Sequence, residues 1–283
     1  MRTPTRLIAA FIGALILSTS HSSRADDSGD SPTDKGTHLE LGLGIAGAHF
    51  PDYPGASRYW NILLPIPYVT LHSRYLDADR DRVRSRVLRG QKWSLDIDFS
   101  GSVPVSSSRD AERHDMPNLG WLAQVGPIAK YRVWRDDASG NRLDLVLPVR
   151  AAASVNALTF HHRGWVMQPA IKWTRLWGAG ERFYHADVTL SRAYATGDYF
   201  NYIYGVAPQY ADPDRPAYQA GSGTGSYRLE LGFGWRQGDM HWGGFVQYAD
   251  LSGASFRNSP LVSQRHQVSF GFAVAWVFRH IDR

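Results

Sequence analysis

VSFGFAVAWVF, residues 268–278, alternates with period two. Val268, Phe270, Phe272, Val274, Trp276 and Phe278 fall on one face of an extended strand, and Ser269, Gly271, Ala273, Ala275 and Val277 on the other. Large apolar side chains opposite small ones fit two settings. In a water-soluble sandwich the large face is core. In an outer-membrane barrel it faces lipid and the small face lines the lumen. The rest of the chain discriminates between them.

Working outward from that strand, the same alternation recurs. Tyr227, Leu229, Leu231, Phe233 and Trp235 oppose Arg228, Glu230, Gly232 and Gly234. Tyr184, Ala186, Val188 and Leu190 oppose His185, Asp187, Thr189 and Ser191. Further alternating runs cover residues 38–50, 60–72, 77–88, 91–105, 121–134, 142–155, 164–177 and 241–251. Roughly eleven segments of about 10–14 residues, joined by alternately short and long connections, are the pattern of a transmembrane barrel. They exceed the usual strand of a globular sheet. Trp60, Trp121, Trp134, Trp165, Trp177, Trp235 and Trp242 sit at strand ends, where interfacial girdles belong. The predicted fold is therefore all-β: a transmembrane antiparallel β-barrel of the outer-membrane type, with about twelve strands, and ten as the alternative. An even count returns both termini to one side, so one more strand is expected, and Tyr199–Val206 is a candidate for it. Pro65 and Pro67 interrupt residues 60–72, which calls for a bulge or an unpaired stretch. No helix of consequence is expected.

The start of the chain reads differently. Arg2 and Arg6 precede an apolar run, Leu7–Leu17, and Ser23-Arg24-Ala25 supplies small residues around a cleavage point. Residues 1–25 read as a cleaved secretory signal peptide, residues 26–37 as a flexible polar lead-in, and residues 38–283 as the barrel. The signal carries Arg2, Arg6 and Arg24 and no acid, so its removal takes the net charge from +5 to +2. A nearly neutral chain gives no basis for nucleic-acid binding. The absence of cysteine excludes disulfides and thiolate metal sites.

Chemistry-bearing residues are sparse. Arg80, Arg82, Arg84 and Arg86 share one face by parity and are candidate lumen-facing residues. Such a row selects anions in a pore, or pairs with aspartates across the barrel interior, or lies on a solvated rim. No His–Ser pair at i, i+2 occurs in the mature chain. His185 and Asp187 share a face with Ser191, as lumenal polar residues commonly do. His161 and His162 read as a loop, and no histidine has zinc-ligand spacing. The expectation is a non-enzymatic protein with no cofactor and no metal. Phe270, Phe272, Trp276 and Phe278 form an aromatic finish of the kind that the outer-membrane barrel-assembly machinery reads. Here five further residues, Arg279 to Arg283, follow it.

At PDYPGASRYWNILLPIPYV, residues 51–69, the chain resembles the MipA/OmpV family of outer-membrane proteins. The resemblance rests on a proline–x–tyrosine–x–glycine turn, Pro51, Tyr53 and Gly55, followed by Leu64-Pro65-Ile66-Pro67. It continues through VGPIAKYRVW (125–134), PAYQAG (216–221) and NSPLV (258–262), where Asn258 replaces the family's usual aspartate. The resemblance implies a barrel in the outer-membrane lipid of a Gram-negative cell envelope, without activity of its own. It also implies a scaffold role for a peptidoglycan-remodelling complex, with a murein hydrolase (a lytic transglycosylase) and a murein synthase (a penicillin-binding protein) as partners. The alternatives are a pore for small hydrophilic solutes or antibiotics and a surface adhesin using residues 196–225 and 252–267.

Overall fold

A computed structural model describes residues 38–72, 77–79, 82–84, 86–156, 159–180 and 182–282. The expected signal peptide and lead-in lie outside the described residues. Fourteen strand segments make one antiparallel sheet. They are β1 (His38–Pro51), β2 (Tyr59–His72), β3 (Asp77–Asp79), β4 (Arg82–Arg84), β5 (Arg86–Arg89), β6 (Trp93–Ser102), β7 (Trp121–Asp136), β8 (Asn141–Asn156), β9 (Thr159–Met167), β10 (Ala170–Ala179), β11 (Arg182–Ala195), β12 (Gly223–Gln237), β13 (Met240–Asp250) and β14 (His266–Asp282). β1 pairs with β14.

Two pairs of segments are halves of single strands. β9 and β10 both lie between β8 and β11, parted only by Gln168 and Pro169. A proline there has no N–H to give the ladder. β4 pairs with β3, β5 pairs with β6, and residue 85 alone separates β4 from β5. The two ends of the sheet therefore meet in one strand, and the sheet closes as a barrel of twelve strands.

The twelfth strand does not come from Tyr199–Val206. It comes from the charged run 77–89, which folds back on itself as a hairpin, with Asp77 opposite Arg84 and Asp79 opposite Arg82. Residues Gly197–Tyr204 are instead an α-helix, α1. Its buried residues, Phe200, Ile203 and Tyr204, recur at i, i+3 and i+4, which is helical rather than strand spacing. The expectation about Pro65 and Pro67 is also refined. The β1–β2 ladder runs without a bulge, with Ile45 opposite Pro65 and Leu43 opposite Pro67. Residues two apart point their amide positions to the same edge, so both missing N–H groups face away from β1. On that edge the described pairing to β3 is confined to Leu71 and His72.

Parity sets inside from outside. On β14, Phe270, Phe272, Trp276 and Phe278 are exposed, whereas Ala273, Ala275 and Val277 are buried. Leu43, Ile45, Phe99, Val125, Leu145, Ile171, Leu190, Leu231 and Val246 continue the apolar belt around the wall. So much outward apolar surface suits lipid. Trp177, Tyr184, Trp235 and Trp242 lie directly opposite one another across β10 to β13. Successive rings stack 5.6, 6.2 and 5.7 Å apart, forming one arc of an interfacial girdle. Trp60 and Trp121 depart from that role. They pack against an inner cluster of Ala46, Ala48, Ile66, Val103 and Ala273.

Leu231 stands mid-strand between Val188 and Val246 and is 49% exposed. Leu231→Arg is expected to cost about 2–4 kcal/mol, the charge penalty near the midplane. Urea unfolding in lipid vesicles measures it. A loss below about 1 kcal/mol would place that face outside the hydrocarbon.

Candidate functional site

The connections after β5, β7, β10 and β12 are two to four residues long and share one end of the barrel with both termini. Connections 103–120, 196–222 and 251–265 leave from the other end. In outer-membrane barrels the short turns are periplasmic and the long loops extracellular. Function therefore has three places to reside: the lumen, the long loops and the short turns.

Paired charges line the lumen. Near the short-turn end, Arg236 on β12 reaches Glu40 on β1 at 3.2 Å. Tyr68 on β2 meets His241 on β13 at 2.8 Å. Neither pair joins neighbouring strands, so these side chains reach through the lumen to a strand three places along the wall. Elsewhere within it, Lys172 lies 3.3 Å from Asp187, whose other oxygen is 3.4 Å from His185 Nε2. Arg150 Nε donates to Asp98 at 2.6 Å, and Lys130 donates to Asp96 at 3.2 Å. The Asp98 side chain is only 2% exposed. The guanidinium that meets it with hydrogen bonds offsets the desolvation of so buried a carboxylate.

His185 and Asp187 thus belong to this lattice, and Ser191 does not join them. It lies six residues along the same strand, about 20 Å away by strand rise, and accepts a hydrogen bond from Gln168. His161 and His162, read from sequence as loop, are in β9 and pair with Ser154 and Ala153. Of the arginine row, Arg80 lies outside the described residues, as do the side chains of Arg82, Arg84 and Arg86. The backbone register sets Arg86 opposite Asp96.

Over the mouth sits an apolar cap. Tyr53, Val105, Met116, Leu119, Phe200, Ile203, Tyr204, Phe256 and Leu261 form one buried cluster drawn from four connections. The turn picked out by Pro51, Tyr53 and Gly55 is its hub. Tyr53 Oη donates to the Leu261 carbonyl at 3.1 Å. Gly55 has φ +104°, a conformation that favours glycine, and its N–H donates to Gln267 Oε1 at 2.7 Å. Its carbonyl accepts from the amides of Ser263 and Gln264 at 2.9 and 3.1 Å. Tyr204 Oη donates to the Pro54 carbonyl at 2.8 Å, and the Tyr204 carbonyl accepts from Ser259 Oγ at 2.7 Å. Residues 216–221 join through the bridge of Tyr218 to Val206 and the Ala220 amide on Asn201. Three stretches that look like scattered turn motifs in sequence are one assembly in space.

Two buried arginines tie the cap's backbone. Arg113 donates to the carbonyls of Ile203 and Pro117, at 2.7 and 3.3 Å. Arg215 donates to the carbonyls of His114 and Tyr210, at 2.6 and 3.0 Å. Below them, Tyr199 Oη accepts from Gln124 Nε2 at 3.2 Å, which links α1 to the wall. Sequence reasoning did not find Tyr204, Phe256, Arg113 or Arg215. Only the helical spacing of residues 200–204 was there to be read.

A closed twelve-stranded barrel with a lipid-facing belt, a charged lumen and a loop cap is an outer-membrane β-barrel protein. A profile of the family described as MltA-interacting protein MipA matches residues 43–278, and the chain belongs to that family. A search of curated protein sequences found no match. Among solved structures, a bacterial polysaccharide outer membrane secretin is similar at a TM-score of 0.46, with 9% identity over 85% of this chain and 99% of that one. The outer membrane protease OmpT of Escherichia coli follows at 0.29, with 7% identity over 89% and 99%. The toluene transporter TbuX of Ralstonia pickettii has 0.25, with 10% identity over 88% and 72%. At such scores neither proteolysis nor transport carries over to this chain.

Proposed function

We propose that this chain is a non-catalytic scaffold of the outer membrane that holds a murein-remodelling enzyme at its periplasmic turns. The observation that carries the reading is the closed barrel. The Arg236–Glu40 ion pair and the Tyr68–His241 hydrogen bond bridge strands within the lumen near the turn end, and α1 with its loops covers the mouth. A filled barrel leaves its ends, not its interior, for binding. The family description names interaction with MltA, which supports this reading; a lytic transglycosylase and a murein synthase are the partners that the family resemblance implies. Export by a signal peptide cleaved after Ala25 completes the reading, and the mature chain then begins at Asp26.

The test joins two measurements on the refolded mature protein. In a planar bilayer it is expected to be electrically silent while still migrating as a heat-modifiable barrel. Immobilised, it is expected to retain a lytic transglycosylase of the MltA class and to lose it when turn 137–140 is replaced by glycine and serine. A steady open conductance, or no retention of the enzyme, would overturn the scaffold reading.

A further inference from the structure

Two arginines on the outside of the wall have no part in the lumen or the cap. Parity puts Arg175 on the lipid face of β10, in line with Ile171 and Trp177, and beside Ala186 of β11 and Phe233 of β12. The next row toward the short turns is the girdle, Trp177, Tyr184 and Trp235. One row further stand Ala179, Arg182 and Gln237. Arg175 therefore lies on the hydrocarbon side of the aromatic row and Arg182 on its aqueous side. Both are exposed.

A charge on the lipid face is costly unless its head finds an interfacial partner. Arg175 leans on the girdle, its guanidinium carbon 5.6 Å from the centre of the Trp177 ring. That ring stacks on Tyr184 with 12° between the planes. Immediately beyond, Ala179, Arg182, Tyr184 and Gln237 line an open groove. Among the described residues no acid pairs with Arg175 or Arg182, and no group accepts a hydrogen bond from the side chains of Arg175, Arg182, Tyr184 or Gln237. The outward arginine at the loop end of β11 is different. Arg192 donates to the Tyr227 hydroxyl and the Gly253 carbonyl, so the protein itself satisfies it. Acids near the short turns are already engaged: Asp137 with Arg135, Asp136 with the Ser139 hydroxyl, and Glu40 with Arg236. Glu181, which precedes Arg182, lies outside the described residues.

We propose that the outer wall across β10, β11 and β12 is a binding site for an anionic glycerophospholipid of the inner leaflet, its headgroup phosphate held by Arg175 and Arg182 across the Trp177–Tyr184 pair. Guanidinium forks match phosphate oxygens in geometry and charge. The Tyr184 hydroxyl and the Gln237 carboxamide supply further donors at the same level. The short turns set this row at the periplasmic interface, where inner-leaflet phosphates lie. Two cations on one row favour an anionic headgroup over a zwitterionic one, whose own ammonium would add a further positive charge.

Native mass spectrometry of the refolded mature barrel reads the site. The protein is released from vesicles of equal parts phosphatidylglycerol and phosphatidylethanolamine with the same acyl chains. One phosphatidylglycerol is expected to stay bound per barrel, preferred about thirtyfold over phosphatidylethanolamine. Arg175→Gln and Arg182→Gln are each expected to lower that preference about fivefold, with heat-modifiable migration unchanged. Arg279→Gln removes an exposed arginine of β14 at the same end of the barrel and is expected to retain lipid as the wild type does. Excess inorganic phosphate is expected to leave the lipid in place. Equal retention of the two lipids, a preference that survives both variants or falls as far in Arg279→Gln, or displacement by free phosphate would each overturn the proposal.

Discussion

Tyr204→Ala is expected to open the cap and leave the barrel closed. Tyr204 is 2% exposed, and its ring stacks on Phe256 with centroids 3.7 Å apart. Phe200 tilts against both rings, and Tyr53 meets Tyr204 edge-on at 6.0 Å. Truncating a buried aromatic costs about 3–5 kcal/mol, and the hydroxyl bond to Pro54 goes with it. That loss falls on loops, not on ladders, so it shows as cap opening. Limited proteolysis is expected to cut loops 196–222 and 251–265 in the variant and spare them in the wild type. The heat-modified gel shift is expected to be unchanged. Intact loops would mean that the cap is held by the Arg113 and Arg215 clasps rather than by the aromatic stack.

The second large effect lies in the lumen. Asp98→Leu leaves Arg150 buried without its carboxylate. Breaking one partner of a buried pair costs about 3–5 kcal/mol. The Arg150 side chain is only 11% exposed, so solvent offers little relief. Urea unfolding in detergent is expected to shift to a lower midpoint by that amount. Asp98→Leu combined with Arg150→Met is expected to recover most of it, because a packed apolar pair replaces a desolvated ionic one. A single variant within about 1 kcal/mol of wild type would place the pair in a hydrated channel.

The wall was legible and the cap was not, for a physical reason. Phe270, Phe272, Trp276 and Phe278 announce a two-sided strand because lipid and lumen impose period two on every residue they touch. Even the strand number was accessible from the parity of an outer-membrane barrel, although its source was misplaced. The aromatic richness of Tyr199–Tyr204 suits a strand by composition, and only the burial of Phe200, Ile203 and Tyr204 on one helical face settles the matter. The cap's logic is long-range. Tyr53 and Leu261 are 208 residues apart when the hydroxyl of one bonds the carbonyl of the other. No local pattern encodes such a meeting. Pro51, Tyr53 and Gly55 read as a turn in the sequence, and only the folded chain makes that turn the hub of three other connections.

The crossings of the lumen have a mechanical sense as well as an electrostatic one. An empty cylinder of twelve strands flattens easily, since bending a sheet breaks no ladder. Arg236 with Glu40, and Tyr68 with His241, act as struts that each tie strands three apart in the wall near the turn end. They hold the cross-section round at the level where the chain enters and leaves the wall. A load hung on the β12–β13 turn is then shared among β1, β2, β12 and β13. The molecule behaves as a braced post rather than as a tube.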